Sequence, residues 1–157
     1  MIKKVAVVLT IILCAIVLFG CGSEKREVNV DVSSIYNEIL AQTETPEMIV
    51  LTEKRMMNSY GIDSSSCKQA IVAVCSDSLR TDEIWLIEAD TVETAGKYLA
   101  TAKACIEQKC AANENYLPEQ YAVAQKGKTA NYGRIVALFV SPEAERMMEI
   151  FNSACGK

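Results

Sequence analysis

Three short patterns in this chain carry the residue types for acyl transfer at serine. Ser65-Ser66-Cys67-Lys68 sets a hydroxyl three residues before an amine, Ser76-Asp77-Ser78 follows, and Lys128-Thr129-Ala130 comes later. In that chemistry serine attacks a carbonyl while lysine takes its proton, giving a transpeptidase or hydrolase that needs no histidine. The lysine must then lie one helical turn beyond the nucleophile. Lys68 instead opens a β-branched stretch that predicts a strand, where residues three apart face opposite sides. Thiol nucleophiles meet a similar objection. Cys67 beside Lys68, or Cys110 beside Lys109, would need the amine to depress the thiol pKa, and neighbours on a strand point apart. The chain has no histidine, which removes the commonest general base and the commonest metal ligand. No C-x-x-C pair is present either, so neither metal nor cofactor is expected. Ser65 with Lys68 stands as the alternative, enzymatic reading.

The other residue with a chemical task is Cys21. Lys3 and Lys4 precede an apolar stretch over residues 5–19, broken by Thr10, and the stretch ends in Leu18-Phe19-Gly20-Cys21. Small Gly20 suits a signal peptidase cut before Cys21, and the positive flank stays on the cytoplasmic side. The tetrad resembles the lipobox of bacterial lipoproteins, which implies a diacylglycerol on the Cys21 thiol. The apolar run is about 15 residues, short of the roughly 20 that span a bilayer. The division is therefore a signal peptide over 1–20, a lipidated cysteine and tether over 21–30, and one extracytoplasmic domain over 31–157. The membrane is a partner through the lipid on Cys21.

Charge narrows the remaining partners. The chain has sixteen basic and twenty acidic side chains. The leader holds two of the former and none of the latter, so the rest carries a net charge of −6. A nucleic-acid partner would require a basic face, and none is expected. Of the seven cysteines, Cys14 leaves with the leader and Cys21 takes lipid. Cys67, Cys75, Cys105, Cys110 and Cys155 remain and read as free, mostly buried thiols, which pack as small hydrophobes.

The elements that must position these residues follow from periodicity and caps. Asp31 caps a helix with Val32, Ile35, Tyr36 and Ile39 on one face. Residues 48–51 form a short apolar run, a small strand or buried lead-in. Thr52 caps a helix through Ser59 that Gly61 ends, and Asp63 caps a further turn. Residues 67–76 and 83–88 predict an antiparallel hairpin. Asp90, with Glu93 three residues on, predicts a capping box for a long helix to about Ala112. Its apolar stripe is Val92, Ala95, Leu99, Ala102, Ile106 and Cys110, with Lys97, Lys103, Glu107 and Lys109 on the wet side. Residues 116–120 predict a loop or single turn, 121–126 a strand, 127–131 a loop, and 132–140 a strand. Ser141-Pro142-Glu143 opens a last helix with Ala144, Met147, Met148, Phe151 and Cys155 inward. The order points to an α+β, two-layer domain: an antiparallel sheet of about four strands with helices packed mainly on one face.

In this order the chain resembles the domain of unknown function 4358 family. The matching pieces are Met48-Ile49-Val50-Leu51, Tyr60-Gly61-Ile62-Asp63 and Asp82-Glu83-Ile84. Tyr116 with Pro118, Gln120 and Tyr121, then Asn131-Tyr132, complete the set. The resemblance implies a small bacterial lipoprotein and brings no assigned activity.

The candidate binding surface is the aromatic and polar set Tyr116, Glu119, Gln120 and Tyr121, with Tyr60 and Trp85 near it, since flat amphipathic side chains suit recognition. The favoured reading is a non-enzymatic module, lipid-anchored on the extracytoplasmic side, that binds an envelope protein or glycan. A small-molecule-binding lipoprotein is the further alternative.

Overall fold

Two strands decide the architecture. In the computed structural model, which describes residues 30–157, β3 (Glu83–Ala89) and β5 (Ile135–Val140) are buried along their whole length. Ile84 and Leu86 face one way, Trp85 and Ile87 the other, and the same alternation holds for Ala137 and Phe139 against Val136 and Leu138. Strands apolar on both faces must be covered on both.

The cover comes from helices on each side. α1 (Val32–Gln42) and α5 (Ala144–Ala154) pack with Ile84, Leu86 and Phe139. α2 (Glu53–Tyr60) and α3 (Val92–Asn113) pack with Trp85, Ile87 and Leu138. The α+β class therefore holds, while the arrangement differs from helices mainly on one face. Residues 84–87 are apolar on both faces of the strand, so helices cover the sheet on both sides.

The sheet has five antiparallel strands in the order β1-β2-β3-β5-β4, one more than expected. β1 (Met48–Val50) is the short edge strand, paired with β2 (Cys67–Cys75) through Ile49↔Val74. β4 (Lys128–Tyr132) is the other edge, paired with β5 through Ala130↔Ala137. The predicted strand over 121–126 is instead the end of α4 (Pro118–Gln125). Pro118 occupies the first turn, where its missing N–H costs nothing, and Tyr121 N–H closes onto the Leu117 carbonyl at 2.9 Å. The strand moves into the predicted loop at 127–131. The predicted strand over 132–140 divides at Gly133, whose φ of 63° makes the two-residue turn between β4 and β5.

Local signals elsewhere place the ends well. Asp31 accepts the Ser33 N–H, Thr52 accepts the Arg55 N–H, and Gly61 at φ 65° ends α2. Asp63 accepts from Ser65 N–H at the 3-10 turn Ser64–Ser66. The cap of α3 is Thr91, not Asp90. Thr91 Oγ1 takes the Thr94 N–H at 3.1 Å, while the Asp90 N–H is held by the Ser66 carbonyl at 2.9 Å. Ser141 Oγ accepts the Glu143 N–H at 3.1 Å, although regular helix begins only at Ala144. The buried stripe of α3 is Ala95, Tyr98, Ala102 and Cys105, and Val92 lies exposed. At about 1.5 Å per residue α3 is roughly 33 Å long. It starts beside the Ala89 end of β3 and returns to the Glu83 end.

Candidate functional site

At the Glu83 end of β3 a carboxylate lies beneath the surface. Glu83 is fully buried, and Trp85, two residues on and so on the same face, donates its indole N–H to Glu83 Oε1. α3 supplies two more partners one turn apart. Cys105 Sγ lies 3.8 Å from Oε1 as a thiol donor, and Lys109 Nζ lies 2.7 Å from Oε2. Oε2 takes no hydrogen bond of ordinary angle, so the ammonium is its counter-charge. Lys109 sits near the C-terminus of α3, where the helix dipole favours a cation. Tyr60, the last residue of α2, stacks edge-on over Trp85 with ring centroids 4.7 Å apart.

The electrostatics follow from burial. Desolvation, reinforced by the Glu83 charge, pushes the Cys105 thiol up to about 12. The same causes, burial first, hold the Tyr60 phenol well above its ordinary value. Both groups are therefore protonated donors at neutral pH. A thiol held that high is a poor nucleophile, since the thiolate is the reactive form. Burial also raises Cys67 and, to about 11, Cys155.

Above this group opens a pocket of about 480 Å³, lined among others by Tyr60, Leu79, Arg80, Lys109, Tyr116 and Leu117. That volume falls within the roughly 300–1,000 Å³ of small-ligand sites. Arg80, in the β2–β3 turn, pairs with buried Asp82 through Nε at 3.0 Å and Nη2 at 3.3 Å. Leu79 and Tyr116 stand at the rim, 59% and 74% exposed, the most exposed large apolar side chains among the described residues. Thr81 N–H donates to Gln120 Oε1 at 2.9 Å and so ties α4 to this turn.

A second buried carboxylate closes the opposite end of β3. Glu88 Oε1 lies 3.3 Å from Arg134 Nη2 and 3.6 Å from Lys68 Nζ, and Oε2 accepts from Gln69 Nε2 at 3.0 Å. Gln69 also donates to the Val30 carbonyl at 2.9 Å and accepts the Val32 N–H at 3.1 Å. The chain arriving from the N-terminal segment is thus clamped to β2 at Val30.

The predicted site residues divide. Tyr60 and Tyr116 line the pocket, Trp85 is sealed under Tyr60, and Gln120 supports the neighbouring turn. Glu119 is exposed on the first turn of α4 and Tyr121 is half-buried; neither lines the pocket. Ser65 Oγ donates to Asp63 Oδ1 at 2.7 Å, while Lys68 reaches Glu88. Ser76 Oγ bonds Glu47, and Lys128 pairs with Glu145 at 2.7 Å, so the three serine-type patterns are engaged separately. Gly20 and Cys21 lie outside the described residues. Sequence reasoning missed Glu83, Cys105 and Lys109 as a unit. The available signals are the two acids, Glu83 and Glu88, in an otherwise apolar strand and a cysteine–lysine pair at i, i+4 spacing.

Among the described residues no His, Cys, Asp or Glu group is arranged to hold a metal, and no helix is long and apolar enough to cross a membrane. Neither the curated proteins nor the solved structures contain a match to this chain. Residues 41–141 match the profile of a family described as a domain of unknown function, DUF4358. That match begins within α1 and ends at Ser141 after β5, taking in the whole sheet and the pocket residues from Tyr60 to Leu117. The chain belongs to the DUF4358 family.

Proposed function

We propose that this protein is a non-enzymatic, lipid-anchored recognition module on the extracytoplasmic face of the cell membrane. Its recognition site is the pocket over Glu83 and Lys109. The observation that supports the reading is the placement of that pocket relative to Val30. The chain enters the domain at Val30, clamped through Gln69 to the Glu88 end of β3, whereas the pocket opens at the Glu83 end. At about 3.3 Å per residue the two ends are roughly 17 Å apart. A lipid on Cys21, followed by a short solvated tether, would hold the first end toward the bilayer and leave the pocket facing outward. The protonated thiol of Cys105, and the hydroxyl of Ser65 turned onto Asp63, also favour binding over catalysis.

The test is crosslinking in cells with a tagged protein, set against Cys21→Ser and against Cys21→Ser fused to an artificial anchor. Cys21→Ser is expected to leave the membrane fraction and lose its crosslinked envelope partner, with both restored by the artificial anchor. Membrane retention of Cys21→Ser, or absence of a partner in every form, would overturn the reading.

A further inference from the structure

We infer that the pocket binds a monoanionic carboxylate carrying an apolar group, in the form a peptide C-terminus provides. This deepens the recognition reading above and rests on it. The first ground is which charges a ligand can touch. The Lys109 and Arg80 side chains are 22% and 39% exposed, while their partners Glu83 and Asp82 are 0% and 2% exposed. A ligand therefore meets two cations whose anions lie behind them. Those buried carboxylates fix the cations in place before binding, so less side-chain freedom is lost on association. Asp82 engages Nε and Nη2 of Arg80, which leaves Nη1 outside that pair.

The second ground is the balance of charge. The four groups sum to zero and Asp77 of the same turn, whose charge also reaches Arg80, adds one negative charge, so the pocket opposes the near-dianion of a phosphate at pH 7 more than it opposes a monoanion. The third is the rim. Leu79 and Tyr116 hold exposed apolar surface beside these cations, with half-buried Leu117 below. An apolar side chain next to the carboxylate would cover them. Ser78 and Gln108 also line the pocket and offer partners for backbone amides.

The experiment titrates the full-length protein in detergent micelles with acetylated tripeptides ending in leucine or phenylalanine. The same peptides as carboxamides, acetyl-leucine, acetyl-phenylalanine and inorganic phosphate serve as comparisons. The free acids are expected to bind, with the carboxamides at least about tenfold weaker. Leu79→Glu places a negative charge at an exposed position that the fold does not need, and should weaken the acids about tenfold more than Leu79→Lys, which removes the same apolar surface without adding that charge. Tripeptides tighter than the single acetylated residues identify a peptide end; equal affinity identifies a small free acid, with the same chemistry. Equal binding of acids and carboxamides overturns the carboxylate and leaves a pocket that recognises something else. Phosphate binding as tightly as the peptides overturns it as well. So does no binding at all, and the crosslinking result then decides separately whether the module has a partner.

Discussion

Glu83 and Glu88 are five residues apart on one strand, and both are buried, yet they are used differently. Glu88 is met from both sides of the sheet's end, by Lys68 and Gln69 of β2 and by Arg134 of the β4–β5 turn. Those partners spread its charge over several groups and convert it into a clamp on the incoming chain. Among the described residues Glu83 meets one cation, Lys109, and its other partners are an indole, a thiol and the Tyr60 phenol. A carboxylate with a single counter-ion under an open pocket depends on that ion entirely. The comparison teaches that burial of a charge does not by itself distinguish a fastening from a site. Redundancy of the partners, and what lies above them, does.

The sharpest way to break the comparison is to remove one cation from each end. Lys109→Met leaves the Glu83 carboxylate buried without a counter-charge, and should cost about 3–5 kcal/mol in urea unfolding. Lys68→Met leaves Arg134 and Gln69 on Glu88, and should cost under about 1 kcal/mol, because Lys68 is half exposed and 3.6 Å away. Adding Glu83→Gln to Lys109→Met should recover most of the loss. Equal costs for the two lysines, or no recovery in the double variant, would dissolve the distinction between the ends.

That distinction was only partly legible in the sequence. The periodic runs of α1 and α3, the Thr52 and Asp63 caps, Gly61 and the β2–β3 hairpin follow from local chemistry, and local chemistry is what a sequence displays. Residues 121–126 read as a strand because Tyr121 and Val123 alternate with small residues, while Pro118 three residues before Tyr121 sets the start of a helix. The double cover of the sheet shows in the unbroken apolar run of residues 135–140, whereas at 83–88 the acids at both ends obscure the same run at 84–87. Lys109 was assigned to the wet side by its type alone. Its ion pair with Glu83 joins residues 26 apart in sequence across two elements, and no spacing rule links them. The aromatic residues of the pocket were found because Tyr60 and Tyr116 stand beside turn residues, whereas Leu79 and Arg80 lie in a turn that carries no pattern.

Alkaline titration sharpens the comparison further, because a thiol lies against Glu83 whereas the partners of Glu88 are cations and an amide. The Cys105 pKa is raised from 9.0 to about 12. A raised pKa means that the folded state holds its proton where the unfolded state has lost it. The stabilisation is complete below about pH 9 and is lost as pH rises toward 12. The unfolding midpoint should therefore fall between about pH 9 and pH 10.5, by on the order of 1–2 kcal/mol from this group. Cys105→Ala should flatten that slope more than Cys155→Ala, since Cys155 is raised only to about 11 and by burial alone. A slope unchanged in Cys105→Ala would mean that the thiol is not held in the buried position beside Glu83, since burial is the larger cause of its raised pKa and the Glu83 charge the next.

The smallest effect concerns how α3 reaches from one end to the other. Its first turn begins at the Glu88 end and its last turns deliver Cys105 and Lys109 to Glu83, so the register of the helix sets the site. The start is fixed by Thr91, whose hydroxyl oxygen accepts the Thr94 N–H, and not by Asp90, whose backbone still belongs to the β2–β3 end through Ser66. Thr91→Ala should cost about 1 kcal/mol, the usual value of a lost cap. Asp90→Ala should lie within about 0.5 kcal/mol of the parent, because its side chain is exposed and caps nothing. A cost at Asp90 exceeding that at Thr91 would move the cap to Asp90 and add one residue to the start of the helix, leaving Cys105 and Lys109 on the face that meets Glu83.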